Sequence, residues 1–162
     1  MKPKLFIMCG LSGSGKSSIA KDLAIKYNAE IVSSDAIREE LFGSCQNQSD
    51  NEKVFNIFNK RIRESLNKNK NVIADATNIT IKSRRAIVEY VRKLDVEKIC
   101  YIVPKKYKDC VKDNKNREHT VPEYVLEKQL RRFQIPFKEE GFSEIVIHDM
   151  GYSYAEKILP NA

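Results

Sequence analysis

The chain has 162 residues, the usual size of one domain, and 41% of them are hydrophobic, which is enough for one core. No apolar run reaches the roughly 20 residues that cross a bilayer, and the first apolar run is too short for a signal peptide. We therefore expect a cytoplasmic protein without a membrane span. Lys and Arg total 29 against 22 acidic residues, a net charge of +7 that favours polyanionic partners without requiring one.

Apolar runs and helical spacings alternate along the whole chain. In chain order they predict a strand over 5–9, a helix over 16–27, a strand over 30–33, a helix over 35–42, a loop over 43–50, a helix over 51–66, a strand over 71–74, a helix over 81–94, a strand over 98–103, a short helix over 107–114, a helix from 122 to about 133, a strand over 144–148, and a helical turn in the last residues. This alternation predicts a single α/β domain over residues 1–162, with a parallel sheet covered by helices on both faces.

Residues 10–17, GLSGSGKS, match the phosphate-binding motif G-x-x-x-x-G-K-[ST] in full and lie between a predicted strand and a predicted helix. The glycines allow successive N–H groups to turn onto an anion, and the helix adds its positive dipole end. Lys16 is predicted to reach the β- and γ-phosphates, and Ser17 to ligate Mg²⁺. The predicted nucleotide ligands in this loop are Gly10, Ser12, Gly13, Ser14, Gly15, Lys16, Ser17 and Ser18.

The loop alone does not separate a kinase from a GTPase or a motor ATPase. No N-K-x-D motif for reading guanine is present, and motor ATPases are usually larger. The chain length therefore favours a small phosphotransferase that uses Mg²⁺ and ATP.

Asp35 and Arg38 follow the second predicted strand, so they should face the same crevice as the phosphate-binding loop. A carboxylate there can take the proton of an attacking hydroxyl, and an arginine one turn later can hold an acceptor phosphate. The alternative is that Asp35 simply caps the following helix.

Asp75, Thr77 and Asn78 follow the third predicted strand and reach the same edge of the sheet. A carboxylate after a buried strand resembles a Walker B position, which predicts Asp75 as a Mg²⁺ ligand and all three residues as substrate contacts. The alternative is a turn in which Thr77, Asn78 or Thr80 caps the next helix.

The basic stretch from Lys105 to Arg117 opens a segment, residues 105–122, that we name the lid segment. It is either a solvated charged surface or a lid that closes over the triphosphate, and in the second case Arg117 stabilises the transferring group. Elsewhere, Arg84 and Arg85 are expected to be exposed and could line a nucleic-acid track. Tyr107, Tyr124 and Phe133 could stack on a base, although core packing is favoured, and His119 and His148 are not expected to be catalytic.

The stretches GLSGSGKSS, SSDAIREELFG, VIADATNIT, DNKNREHTVPEYV and IPFKEEGFSEI together resemble the polynucleotide-kinase-like P-loop kinases, over about residues 4–148. The resemblance implies a five-stranded parallel sheet in a three-layer α/β/α sandwich, a helical lid, and ATP with Mg²⁺ at the loop. It also implies Asp35 as the general base, Arg38 on a phosphate near the reacting centre, and Arg117 and Asn114 on ATP. Asp113 stands where the family often has arginine, which reverses a charge beside the triphosphate.

Three functions follow from these observations. The first is an ATP-dependent kinase of the 5′-hydroxyl of DNA or RNA, and the second is a kinase of a small hydroxyl compound such as a sugar, nucleoside or antibiotic. The third is an ATP-binding regulatory module without turnover, which Asp113 keeps open. No feature of the sequence indicates a stable protein partner.

Overall fold

The computed structural model describes residues 1–45, 47–118 and 120–152. The strands are β1 (Lys4–Cys9), β2 (Ala29–Ser33), β3 (Asn71–Asp75), β4 (Glu97–Ile102) and β5 (Glu144–Ile147). The helices are α1 (Lys16–Tyr27), α2 (Ser34–Phe42), α3 (Asn51–Asn67), α4 (Ile81–Tyr90), α5 (Tyr107–Lys115) and α6 (Glu123–Arg132), with a short 3₁₀ helix at Lys138–Glu140. The predicted order of strands and helices in this part of the chain is confirmed. The helical turn predicted for the last residues falls on 153–162, outside the described residues.

The strands form one five-stranded sheet in the order β2-β3-β1-β4-β5, and every neighbouring pair is parallel. Because all strands run the same way, their carboxyl ends share one edge of the sheet, where ligands bind in this class of fold. Ser33 is paired in register with Asp75, so β2 and β3 end level with each other. The loops after the three neighbouring strands β1, β2 and β3 therefore meet at this edge.

Side chains of the central strand alternate between two cores. Leu5, Ile7 and Cys9 pack in one core with residues from α2, α3 and α4. Phe6 and Met8 point the other way and pack with residues of α1. The sheet is thus covered on both faces, which confirms the predicted α/β/α sandwich.

The prediction of a helix over 81–94 is wrong at its end. The helix α4 stops at Tyr90, and the next four residues form turns. Val91 is completely buried and Leu94 packs against the same core, so the apolar spacing that suggested more helix is satisfied by turns. Pro122 was predicted as the first residue of its helix, and it is instead the residue that precedes α6.

The prediction that Arg84 is exposed is wrong, whereas Arg85 is exposed as predicted. The Arg84 side chain is completely buried and paired with the buried Glu140, with Nε 2.8 Å from Oε1 and Nη2 3.1 Å from Oε2. The guanidinium also donates to the carbonyls of Asn78 and Gln134, each at 2.9 Å. This pair joins α4 to the 3₁₀ helix and holds the loop after β3 in place.

No helix among residues 1–45, 47–118 and 120–152 is both long enough and apolar enough to cross a bilayer. The four cysteines all lie in this part of the chain, and each is a buried free thiol. Such burial is typical of structural thiols.

Candidate active site

The phosphate-binding loop connects β1 to α1. Gly13 and Gly15 adopt φ values of 79° and 90°, in the left-handed region that favours glycine. Gly10 lies outside that region, contrary to expectation, and a Cβ there would come within 3.0 Å of the carbonyl oxygen of Val103. Space rather than backbone angle therefore favours glycine at position 10. Its N–H donates to the Thr77 carbonyl at 3.0 Å, which ties the loop to the end of β3.

Two groups in this loop fit a polyphosphate. Lys16 is buried, and its Nζ donates to the Leu11 carbonyl at 2.9 Å. Burial lowers the pKa of Lys16 below its ordinary value, while the negative charge of Asp75 opposes the shift. The Ser14 hydroxyl is buried without a hydrogen-bond partner among the described residues. A buried ammonium and an unsatisfied hydroxyl in one loop are the groups that phosphate oxygens would satisfy.

The predicted metal ligands Ser17 and Asp75 are in contact. The Ser17 hydroxyl donates to Oδ2 of Asp75 at 3.0 Å. Burial raises the pKa of Asp75, and the charge of Lys16 and the Ser17 hydrogen bond oppose this shift. A carboxylate and a hydroxyl at a phosphate site are ligands that Mg²⁺ takes together with phosphate oxygens, so these two residues fit the predicted ion.

Asp35 and Arg38 lie together at the start of α2. The cap of this helix is Ser33, whose Oγ accepts from the Ala36 N–H at 3.2 Å, so the alternative role for Asp35 as the capping residue is wrong. Oδ1 of Asp35 accepts from Nη1 of Arg38 at 2.8 Å. The Asp35 side chain is 53% exposed and that of Arg38 is 9% exposed, so the carboxylate is open to an acceptor while the arginine is held.

Two residues of α3 that the sequence reasoning missed hold Arg38. Oδ1 of Asn51 accepts from Nη2 at 3.2 Å, and the guanidinium lies 5.6 Å from the centroid of the Phe55 ring. A guanidinium carries more N–H donors than these contacts and the Asp35 bond use, so Arg38 can also face an anion. Asn51 gave only a weak signal in the sequence, since it is a polar residue at the first position of a helix.

The charged residues predicted for catalysis act on one another. Burial is the largest influence on the pKa values of Lys16 and Asp75, and the charges of Asp35 and Arg117 also act on both groups. The structure thus brings Asp35 and Arg117 within electrostatic range of both Lys16 and Asp75.

Residues 5–136 match the model of a family described as the AAA domain. The chain belongs to this family. It is 23% identical over 147 residues to the bifunctional polynucleotide phosphatase/kinase of Schizosaccharomyces pombe, covering 88% of this chain but only 32% of that relative. The family match and this relative together confirm the predicted resemblance to polynucleotide-kinase-like P-loop kinases.

Two solved structures resemble this AAA domain. A chain of the Pnkp1/Rnl/Hen1 RNA repair complex superposes with a TM-score of 0.70 at 26% identity, covering 80% of this chain and 43% of that chain. A gluconokinase from Sinorhizobium meliloti superposes with a TM-score of 0.62 at 20% identity, covering 98% and 89%. The second likeness shows the fold alone. Together with the phosphate-binding loop, the family match and the first likeness place the chain among the P-loop kinases.

Asn114, Asn78 and Thr77, which are predicted ligand residues of this AAA domain, have polar groups engaged within the protein. The Asn114 amide is buried and bonded to the backbone of Val121, with Nδ2 2.7 Å from its oxygen and Oδ1 3.1 Å from its nitrogen. Nδ2 of Asn78 donates to the Met8 carbonyl at 2.8 Å. Thr77 supports the phosphate-binding loop through its carbonyl, and the cap of α4 is Thr80, one of the residues predicted for it. Nucleotide or substrate contacts by Asn114, Thr77 and Asn78 stay predictions.

Asp113, the departure from the family pattern, is paired inside the lid segment. Its carboxylate binds the Lys105 ammonium, and this hydrogen bond holds the pKa of Asp113 below its usual value. The negative charge is therefore balanced by a lysine eight positions earlier in the chain. The repulsion between Asp113 and a bound triphosphate is therefore weaker than the sequence alone implies.

Gln129 of α6 also reaches the phosphate-binding loop, and the sequence reasoning missed it. Its side-chain amide bonds the N–H and the hydroxyl of Ser12. The signal was a polar residue on the face of α6 that carries Leu126, Leu130 and Phe133, which pack beneath the lid segment. Ser18, by contrast, is exposed in the first turn of α1.

The predictions for the aromatic and histidine residues have different outcomes. Tyr107 and Phe133 pack in the cluster beneath the lid segment, as the core-packing prediction has them, whereas Tyr124 is 71% exposed. His148 bonds a tyrosine hydroxyl of β4 through Nδ1 at 2.7 Å. His119 lies outside the described residues.

Replacing Gly13 by alanine is expected to weaken ATP binding by about tenfold or more, since a left-handed non-glycine residue alone costs about 1–2 kcal/mol. A Cβ at this position would also lie 2.5 Å from the Cys110 carbonyl of α5, so the loop or the helix must move. Isothermal titration with Mg·ATP measures the effect. Gly43→Ala is the matched control, because Gly43 also has positive φ, 73°, with no atom near its Cβ position, and follows α2. Equal affinities for both variants would contradict the prediction.

Proposed function

We propose that this chain transfers the γ-phosphoryl group of ATP to the 5′-hydroxyl of DNA or RNA. The observation that carries the proposal is the meeting of Lys16, Asp35 and Asp75 at the ends of three neighbouring parallel strands, with Arg38 bonded to Asp35. A phosphate site, a metal site and an exposed carboxylate within range of both are the parts that phosphoryl transfer requires.

In the proposed reaction the acceptor hydroxyl gives its proton to the Asp35 carboxylate, while its oxygen forms a bond to the γ-phosphorus. The bond from that phosphorus to the β–γ bridging oxygen breaks, and ADP leaves with the electron pair. Lys16 and Arg117 hold the oxygens of the transferring group. Ser17 and Asp75 would hold Mg²⁺, which would neutralise charge on the β- and γ-phosphates.

The position of Arg38 supports a phosphorylated acceptor. Its planar fork is fixed by Asp35, Asn51 and Phe55 beside the proposed base, which suits a phosphate adjoining the reacting hydroxyl. The net charge of +7 favours a polyanion. Relatives that are named as a polynucleotide phosphatase/kinase and as part of an RNA repair complex support the same acceptor, although the chain spans 32% and 43% of their lengths.

A kinase of a small hydroxyl compound is the second candidate, favoured by the likeness to a gluconokinase across nearly the whole chain. The two candidates differ in their response to salt. Acceptor binding that involves several phosphates weakens steeply as counterions compete, whereas binding of a small alcohol does not. A regulatory module without turnover is the third candidate, and the Lys105 partner of Asp113 weakens its main support.

The purified protein, γ-labelled ATP, Mg²⁺ and a 5′-hydroxyl oligonucleotide test the proposal. We expect label on the 5′ end, none on the same oligonucleotide carrying a 5′-phosphate, and an acceptor KM that rises steeply with added salt. Gluconate and a nucleoside serve as parallel acceptors. Label on a small acceptor alone would overturn the polynucleotide assignment, and ATP binding without transfer to any acceptor would favour the regulatory module.

A further inference from the structure

Two hydrogen bonds connect α6 to the phosphate-binding loop. The Ser12 N–H donates to Oε1 of Gln129 at 3.0 Å, and Nε2 of Gln129 donates to the Ser12 hydroxyl at 3.0 Å. Ser12 is 7% exposed, so water has little access to replace either bond. Backbone N–H groups of such a loop bind phosphate. One of them, that of Ser12, is thus held by a residue of α6 that lies 117 positions further along the chain.

The residues on either side of Ser12 rest on the same group of helices. Leu11 is buried in a cluster with Leu126 of α6 and Cys110 of α5. A Cβ on Gly13 would lie 2.5 Å from the Cys110 carbonyl oxygen and 3.2 Å from the Asn114 Cβ, so the backbones of the loop and of α5 are in close contact. The three consecutive loop residues 11–13 are therefore in contact with α5 or α6. At Ser12, the middle one, the contact consists of two hydrogen bonds.

We propose that Gln129 is a positioning residue for nucleotide binding, which fixes Ser12 so that the loop has its phosphate-binding shape before ATP arrives. A glycine-rich loop that is ordered only on binding loses conformational entropy at that step, and a pre-ordered loop does not. Without Gln129 the Ser12 N–H is left buried and unpaired, which favours loop conformations that expose it. The inference rests on the proposed function only in taking ATP as the phosphoryl donor.

Gln129→Met is the informative substitution, because methionine keeps the length and the helix propensity of glutamine and removes both hydrogen bonds. We expect the Kd of Mg·ATP, measured by isothermal titration, to rise by about tenfold, as loss of about 1–2 kcal/mol of pre-ordering implies. We also expect faster amide hydrogen exchange in the peptide that covers residues 11–13 of the free protein. Lys128→Met is the matched control, since Lys128 is exposed on the same helix, and it should change neither quantity.

Two further variants separate positioning from general packing. In Gln129→Glu a carboxylate can accept from both the Ser12 N–H and the Ser12 hydroxyl, so exchange at residues 11–13 should return towards the wild-type rate. In a Ser12→Ala background, where one bond is already gone, Gln129→Met should weaken ATP binding by a smaller factor than it does alone.

Unchanged Kd and exchange in Gln129→Met would overturn the proposal, as would a lower Tm with unchanged Kd, because the bonds would then serve stability only. Tighter ATP binding would also overturn it, by showing that Gln129 competes with phosphate for the Ser12 N–H. A wild-type protein that binds no ATP would remove the donor and the positioning role together. Failure to label an oligonucleotide bears on the acceptor alone, since the ATP titration needs none.

Discussion

Replacing Asp35 by asparagine is expected to slow phosphoryl transfer by about 10²- to 10⁴-fold, the range that a general base supplies, while ATP affinity stays within about threefold. Asparagine has nearly the same shape, and its carbonyl oxygen can still accept from Nη1 of Arg38, so the 2.8 Å contact is preserved. What is lost is the basic oxygen that takes the proton of the acceptor hydroxyl. Single-turnover transfer of label from ATP to a 5′-hydroxyl oligonucleotide measures the rate, and titration with Mg·ATP measures the affinity.

Glu40→Gln is the matched control for this substitution. Glu40 lies on the same helix, is exposed, and forms a bidentate pair with Arg61 at 3.1 Å and 2.7 Å. The control therefore removes the charge of one arginine-paired carboxylate on α2, away from the proposed base. Transfer by Asp35→Asn at the rate of Glu40→Gln would exclude Asp35 as the base and reassign it to holding Arg38.

Replacing Arg84 by methionine is expected to lower the free energy of unfolding by about 3–5 kcal/mol, the usual loss when one partner of a buried ion pair is removed. The Glu140 carboxylate would remain completely buried with its cation gone, and the carbonyls of Asn78 and Gln134 would each lose a donor. Because Asn78 lies in the loop after β3, the phosphate-binding loop that this segment supports should also loosen. Urea unfolding followed by circular dichroism measures the stability.

Arg85→Met is the control, since Arg85 is exposed on the same helix, and it should change stability by less than about 0.5 kcal/mol. The double variant Arg84→Met with Glu140→Leu removes both charges and should recover part of the loss, because the uncompensated carboxylate is gone. A double variant that is destabilised by the sum of the two single changes would show that the charges do not depend on each other.

Much of the fold could be predicted because its signals are local. The run before Gly10 alternates between two cores and is buried on both faces, so its apolar character marks a central strand wherever the rest of the chain lies. Gly13, Gly15 and Lys16 belong to one short loop whose function depends on backbone angles and on the start of the helix that follows. Ser33, Asp35 and Arg38 are likewise close in the chain, and their placement follows from the end of a parallel strand.

The residues that were missed or misplaced are polar side chains whose partners lie far away in the chain. Arg84 was expected in solvent because arginine usually is, and only Glu140, 56 positions later, makes its burial possible. Helical spacing carries no information about a partner on another element.

The sequence by itself determined the alternation of strands and helices and the phosphate-binding loop, because each depends on neighbouring residues. Only the tertiary structure decided that Gln129 bonds Ser12 across 117 positions and that Arg38 is held by Asn51. These contacts depend on how helices pack against the carboxyl edge of the sheet. Such packing results from many weak contacts between residues that are distant in the chain, and these contacts cannot be read from a single sequence.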